Sequence, residues 1–326
     1  MKKYYLSGLM IVACAFTGLA QQRPQYTQYM VNPFLLNPSV SGTEDYTDIR
    51  AGYRKQWTGF EGSPRTMYLS AHGNIGKHLV TNNRSRNQKN GFHGLGGIIT
   101  NDAIGPTVST TVNGAYSYHL KISKGKVSKK RGGTYASLGI MGGTNQFSLD
   151  ASKLVAADAG DGLITSSSKI ALGDITLGAW VYSDKFYIGA SMAQVAPTVA
   201  VTRTGELADY SLTNHYFVMA GYGIPLGYDF KLIPSVCIKG TTPAPLSFDI
   251  NAKLRYKDFL WGGVSYRNTD AVAVMVGVIV NNTFDISYSY DYITSDINKY
   301  TGGSHEIVIG YRLRPQGRVI CPSNFW

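Results

Sequence analysis

The chain has 326 residues, a formal charge of +11, 16% charged and 44% apolar side chains, with 37 Gly and 23 Tyr. That length suits one large domain or two small ones, and the composition is far from the Lys-, Glu- and Leu-rich profile of a soluble helical protein. Past the N-terminus the longest apolar run is Ala271 to Val280, well short of the ~18 residues of a membrane-spanning helix, and the even spread of Tyr, Val, Ile and Phe excludes disorder.

Residues 1–20 read as a signal peptide. Lys2 and Lys3 precede an apolar stretch from Leu6 to Leu19, and the small residues Gly18 and Ala20 flank a cut before Gln21. Export follows, and the remaining charge falls to +9 as the two lysines leave. A competing pattern, Ile11-Val12-Ala13-Cys14, would make Cys14 a lipidation site but leaves a very short apolar core. Cys237 and Cys321 either pair in an oxidising compartment or stay as two thiols, and their spacing does not decide between these. No cysteine or histidine spacing fits a metal site.

Residues 21–45 have little regular periodicity, but contain two Asn-Pro pairs, which favour turns. From about Asp48 the chain alternates apolar and polar residues in segments broken by Gly, Pro, Asn and Asp. Fourteen segments result: 47–57, 65–75, 91–101, 107–120, 134–147, 172–183, 185–195, 213–224, 229–240, 246–257, 259–268, 270–280, 283–293 and 304–313. In Phe284 to Tyr292 one face is wholly aromatic or aliphatic and the other is Asp285, Ser287, Ser289 and Asp291. A soluble sandwich also alternates, but its strands run to about five or six residues, whereas a tilted membrane strand needs ~9 to 11. The expected fold is therefore all-β, a single transmembrane antiparallel β-barrel of about 14 strands over residues 46–314, with 315–326 as a C-terminal tail. Ala271 to Val280 is apolar on both faces, so something apolar must cover that part of the lumen wall.

If the first strand rises from the periplasm, the tight turns Ser183 to Lys185, Pro225 to Asp229, Lys257 to Phe259 and Asn281 to Thr283 all return there, as short periplasmic turns do in such barrels. Two turns on that side are longer and carry no acid. Gly76 to Asn90 holds Lys77, Arg84, Arg86 and Lys89, and Lys121 to Gly133 holds Lys121, Lys124, Lys126, Lys129, Lys130 and Arg131. They read either as a docking surface for acidic periplasmic partners or as solvated charge near anionic lipid.

Gln25 to Gly42, with Asn32-Pro33 and Asn37-Pro38, resembles the opening of the PorP/SprF family of Bacteroidetes outer-membrane proteins. The likeness continues through Arg50 to Phe60, Gly62-Ser63-Pro64, Gly94-Leu95-Gly96-Gly97, Asn101 to Pro106 and Tyr116 to Leu120, and then as strand pattern to about Arg314. The tail Pro315 to Trp326 departs from it. The resemblance implies a component of the type IX secretion and gliding machinery, acting in export or surface attachment of adhesins with a type B C-terminal domain. The partners it implies are that domain, the periplasmic ring and the peptidoglycan-binding lipoproteins of the apparatus. Outer-membrane lipid surrounds the barrel, and nothing points to nucleic acid, a cofactor, a metal or an enzymatic activity.

Three sets of residues carry the functional expectations. Tyr26, Gln28, Tyr29, Asn32, Pro33, Phe34, Leu36, Asn37 and Pro38 are expected to plug the periplasmic mouth, because a fourteen-stranded lumen is too wide for wall side chains alone to fill. Phe34 is expected near Val274 or Met275. Gln56, Trp57, Gly59, Phe60 and Pro64 form a first external hairpin beside an external turn with Asn101, Asp102, Gly105 and Pro106, and there a partner would bind. Trp57 shares parity with Tyr53 and so is expected at the outer lipid interface. The basic turns form the third set. Gly94 to Gly97 reads as strand glycine allowing close backbone approach, since no helix follows as a nucleotide fingerprint requires. His72, His78 and His93 could approach one periplasmic rim, but interfacial or lumenal polar positions are the stronger reading. Across the closing seam, Asp48, Arg50 and Arg54 should meet Glu306 or Arg312. The alternative function is a passive porin or small-solute transporter, which would need no apolar leader.

Overall fold

Alternation over ten or more residues gives a strand one face that must leave water and one that must keep it. A closed barrel satisfies both faces and leaves no unpaired edge. The computed structural model describes residues 23–76, 91–123, 133–150, 169–195, 199–202, 207–209, 213–241 and 244–313. The signal peptide, Cys14, the tail with Cys321, His78 and the basic-turn residues Lys77, Arg84, Arg86, Lys89, Lys124, Lys126, Lys129, Lys130 and Arg131 lie outside them.

The strands are β1 (Thr47–Lys55), β2 (Arg65–Ile75), β3 (Gly91–Ile104), β4 (Thr107–Ser123), β5 (Thr134–Leu149), β6 (Lys169–Tyr182), β7 (Phe186–Ala193), β8 (Val199–Thr202) and β9 (Leu207–Asp209). They continue as β10 (His215–Tyr222), β11 (Ile224–Leu226), β12 (Phe230–Thr241), β13 (Ser247–Tyr256), β14 (Leu260–Arg267), β15 (Ala271–Val280), β16 (Phe284–Ile293) and β17 (Ser304–Leu313). All pairings are antiparallel. β7 pairs directly with β10, and β1 pairs with β17, so the sheet closes. Of the seventeen strands among the described residues, β8 and β9 form a hairpin beside β6, and β11 extends β10 along β12, so fourteen staves enclose the lumen.

Every one of the fourteen expected segments is a stave, with differences that have local causes. β10 and β11 part at Gly223, opposite Ile233 and Pro234 of β12, where proline has no N–H for the ladder. β4 and β5 run to 17 and 16 residues, beyond the expected ends. Tight turns gather at the end where β1 begins. Asn281 and Asn282 both take positive φ, 51° and 55°, the left-handed pair that a two-residue hairpin turn demands, and Ser183 Oγ accepts from the Lys185 and Phe186 N–H groups at 3.1 and 3.2 Å.

Side-chain direction follows the period. On β15, Val272, Val274 and Val276 point out to the lipid side, whereas Ala271, Ala273, Met275 and Ile279 are buried in the lumen. Val274 is 58% exposed and Met275 2%, so of the two expected to cover the plug only Met275 faces inward. His72 is buried in the lumen and His93 lies on the outer face against the Tyr116 hydroxyl at 2.8 Å. Those two imidazoles are on opposite faces of the wall and share no rim.

The seam bears the expected acid–base contact. Arg54 lies opposite Glu306 and Asp48 opposite Arg312. Arg54 Nη1 is 3.1 Å from Glu306 Oε2 and its Nη2 is 2.8 Å from Asp291 Oδ2, with all three side chains buried. Deleting one partner of such a buried pair strands the others, at a cost of about 3–5 kcal/mol. Arg54→Ala should therefore lower the stability of the refolded barrel by that order in urea titrations in detergent. Lys55→Ala, on the outward face next door, should change it by no more than about 0.5 kcal/mol.

Candidate functional site

The lumen wall presents two kinds of surface. β12 to β17 and β1 line it with Asp249, Lys253, Arg255, Arg267, Asp285, Asp291, Glu306, Arg50 and Arg54, while β2 to β7 present Ser70, Gly94, Gly96, Ser117, Ser137, Gly139, Gly178 and Ser191. Residues 25–43 lie inside this wall, and Tyr26 through Glu44 are all buried. Two short 3₁₀ turns, Pro33–Leu35 and Pro38–Val40, each open on a proline after an asparagine, a placement that costs no helical hydrogen bond because proline lacks the N–H. The Asn37 side chain caps the second turn by accepting from Ser39 N at 2.9 Å.

On the charged side, the Thr27 and Gln28 amides donate to the Glu306 carboxylate at 2.7 and 3.3 Å, and Thr27 Oγ1 donates to Asp291 at 2.7 Å. Arg54 also reaches Thr27 Oγ1. Asn251 donates to the Tyr29 hydroxyl at 2.7 Å, and Lys239 sits 5.0 Å from the Tyr29 ring. Burial pushes the Tyr26 phenol up to about 12 and raises Tyr29 well above its ordinary value, so both stay neutral hydrogen-bonding groups. Met30 and Val31 cover the apolar wall, in one cluster with Trp261, Met275 and Ile279.

On the small-residue side, hydroxyls of β4, β5 and β7 bind the segment's backbone. Ser191 donates to Leu36 O at 2.7 Å, Ser137 to Ser39 O at 2.8 Å and Ser117 to Ser41 O at 2.7 Å. The Asn37 amide spans two strands, donating to Ala179 O and Ala190 O at 3.1 and 3.0 Å. Asn32 donates to Ser70 Oγ at 2.8 Å. A Cβ added at Gly94 would lie 2.0 Å from Ser41 O, and one at Gly178 2.1 Å from Asn37 Oδ1. These strand glycines thus do what close backbone approach requires. Phe34 packs on His72, ring centres 4.7 Å apart, and over Gly96. It therefore lies on β2 and β3, and the expected contact with β15 belongs to Met30 and Val31 instead.

The first hairpin is built as one surface. Gln56 N donates to Pro64 O at 2.9 Å, Thr58 N to Gly303 O at 2.8 Å and Gly105 N to Gly62 O at 2.9 Å. Gly59 and Phe60 are exposed at its tip. One expectation loses its basis here and another fails. β1 ends at Lys55 and Trp57 takes φ +51°, so strand parity does not reach it, and its indole Nε1 is buried with no hydrogen-bond partner. β3 stays regular to Ile104 and the turn is only Gly105-Pro106. Asn101 consequently donates to Thr110 Oγ1 at 2.9 Å, and Asp102 turns into the lumen, accepting from Thr66 Oγ1 at 2.5 Å. Asp102 is not a surface-turn residue. Cys237 is buried on the lumenal face of β12 and makes no disulfide among the described residues, which do not include Cys321.

A closed antiparallel barrel with an apolar outer belt and a polar lumen defines a membrane protein of the outer-membrane barrel class. The chain belongs to the family described as type IX secretion system membrane protein PorP/SprF, whose sequence model matches residues 18–311. Comparison with curated proteins gives no match. Among solved structures, it is similar to outer membrane protein Omp33 of Acinetobacter baumannii, at 10% identity over 84% of this chain and 100% of that one, TM-score 0.45. It is also similar to the toluene transporter TbuX of Ralstonia pickettii, at 10% identity over 88% and 93%, TM-score 0.46. The translocator domain of autotransporter NalP from Neisseria meningitidis shares 11% identity over 88% and 92%, TM-score 0.41.

The cluster of Met30 with Met275 sets a cross-linking expectation. A Met30→Cys, Met275→Cys pair should be bridged by a short bis-thiol reagent in isolated membranes, and a Met30→Cys, Val274→Cys pair should not. Bridging only in the Val274 pair would mean that β15 has the opposite face inward.

Proposed function

We propose that this barrel is a non-enzymatic outer-membrane component of type IX secretion that supports export or surface anchoring of adhesins with a type B C-terminal domain, and that residues 23–46 act as its plug. The observation that carries the reading is the buried segment itself, tied to Glu306 and Asp291 on one side and to Ser117, Ser137 and Ser191 on the other. A conduit for small solutes gains nothing from filling its lumen with bonded backbone, whereas a holding scaffold gains a rigid frame. The segment ends where β1 begins, at the tight-turn end, which in such barrels faces the periplasm. There the basic turns would meet the periplasmic ring and lipoproteins of the apparatus. The opposite end presents the hairpin of Gln56, Trp57, Gly59, Phe60 and Pro64, joined through Gly62 to Gly105 and Pro106, as the surface for the adhesin domain.

Two measurements test this. In planar bilayers the full mature protein should show no stable ohmic conductance, and a variant lacking residues 23–42 should conduct. Stable conductance of the full protein would return it to the porin reading. In cells, the Phe60→Ala, Pro64→Ala double variant should reduce surface display of the adhesin several-fold while the barrel still shows heat-modifiable migration in SDS gels. Unchanged display would remove the hairpin from the binding surface.

A further inference from the structure

At the end of the barrel away from the tight turns, the N-terminal segment does not fill the lumen. A cavity of about 260 Å³ remains there, bounded by Arg23, Tyr26 and Leu35 of the segment and by strand residues from β3 to β6. Its polar lining includes an acid and an amide that each keep an acceptor unmet. Asp174 is 2% exposed and spends one carboxylate oxygen on Asn113 Nδ2 at 2.9 Å. Its other oxygen, Oδ1, is buried with no hydrogen-bond partner, and so is Asn113 Oδ1. Gly143 of β5 lies between these two residues, opposite both. A Cβ there would come within 2.3 Å of Asn113 Oδ1, so the missing side chain is what lets β4 and β6 bring the amide and carboxylate together across the intervening strand. Asp102 adds a second carboxylate to the same cavity. Among the described residues neither acid has an ion pair, although Arg23 lines the cavity and has its own Nη1 unpartnered.

Two buried acceptors without a donor are costly, and a buried carboxylate costs more unless it is paired. A ligand that donates and carries positive charge removes both costs. The remaining wall, with Leu35, Ile98, Met141 and Phe147, suits an unbranched alkyl stem, which lies along apolar surface while its charged head reaches the polar floor. We propose that this cavity is a recognition site for a primary alkylammonium group, and that its occupant is a lysine side chain of a polypeptide arriving from the external side. The occupant deepens the proposed function, since it makes the barrel mouth a site that an exported protein engages, and it rests on that reading. The ammonium site rests on the cavity alone. Arg23 lines the same cavity and is itself a cation, so it opposes the entry of a second one.

The test uses the full mature protein in detergent micelles and two fluorescein-labelled decapeptides of Gly, Ser and Thr, identical except for a central Lys or Gln, read by fluorescence anisotropy. The Lys peptide should bind at least about 10-fold more tightly than the Gln peptide, the loss of a desolvated charge-assisted hydrogen bond. Asp174→Asn should abolish that preference, and Arg23→Gln should strengthen Lys-peptide binding by removing a like charge from the cavity. If Asp174→Asn does not fold, the Arg23→Gln result decides alone. Equal affinity for both peptides, no binding of either, or weaker binding by Arg23→Gln overturns the site. These measurements contain no secretion machinery, so their failure leaves the Phe60 and Pro64 display result untouched. Normal peptide discrimination with unaltered adhesin display would instead sink the function and keep the site.

Discussion

The buried carboxylate of Glu306 is the constraint on which the rest of this barrel depends. It sits on the last strand, opposite Arg54 of the first, and a charge in that position is tolerable only when its lone pairs are met. Arg54 meets one side of it, and the Thr27 and Gln28 amides meet the other. One acid therefore joins three things: the closing seam, the neighbouring acid Asp291 through their shared arginine, and the N-terminal segment. Removing the segment would leave that acid short of two donors in a lumen with few replacements.

From that anchor the lumen divides by the kind of side chain each strand offers. The charged strands hold the start of the segment by side chains reaching inward, and the serine- and glycine-bearing strands hold its end by letting its backbone come close. A short segment can thus touch wall all round a wide barrel, because the wall moves in on one side and the segment moves out on the other. Two proline-started turns supply the bends, and proline lowers the conformational freedom that ordering must remove.

Strand positions were legible because period two carries register and face at once: on Phe284 to Ile293 and on β1, the residues expected inward are inward. What the alternation could not carry was any place where the backbone leaves the extended region. Trp57 is such a place, since one left-handed residue cancels the parity that precedes it. Asp102 misled in the opposite way, because an Asn-Asp pair looks like a turn but here continues a regular strand whose inward side needs an acid. The partner of Phe34 was unreadable for a third reason: the segment has no period, so nothing in it says which wall each side chain meets. A signal for the wall did exist. Gly94 and Gly96 of β3, Gly139 of β5 and Gly178 of β6 all fall on inward positions, beside the inward serines Ser117 of β4, Ser137 of β5 and Ser191 of β7, and a segment lying close against the wall explains such smallness repeated over neighbouring strands.

The distance along the chain between the two ends of one hydrogen bond has a consequence for biogenesis. Thr27 and Glu306 are separated by 279 residues, with Thr27 ahead of the first strand of the barrel and Glu306 on the strand that closes it. Contacts this remote in sequence form late and slow folding. The segment must wait, unseated, until β17 arrives, or the fourteen staves must wrap around it as they assemble. In either order, seam closure and segment docking complete together, and the cell receives a finished barrel only as an already occupied one.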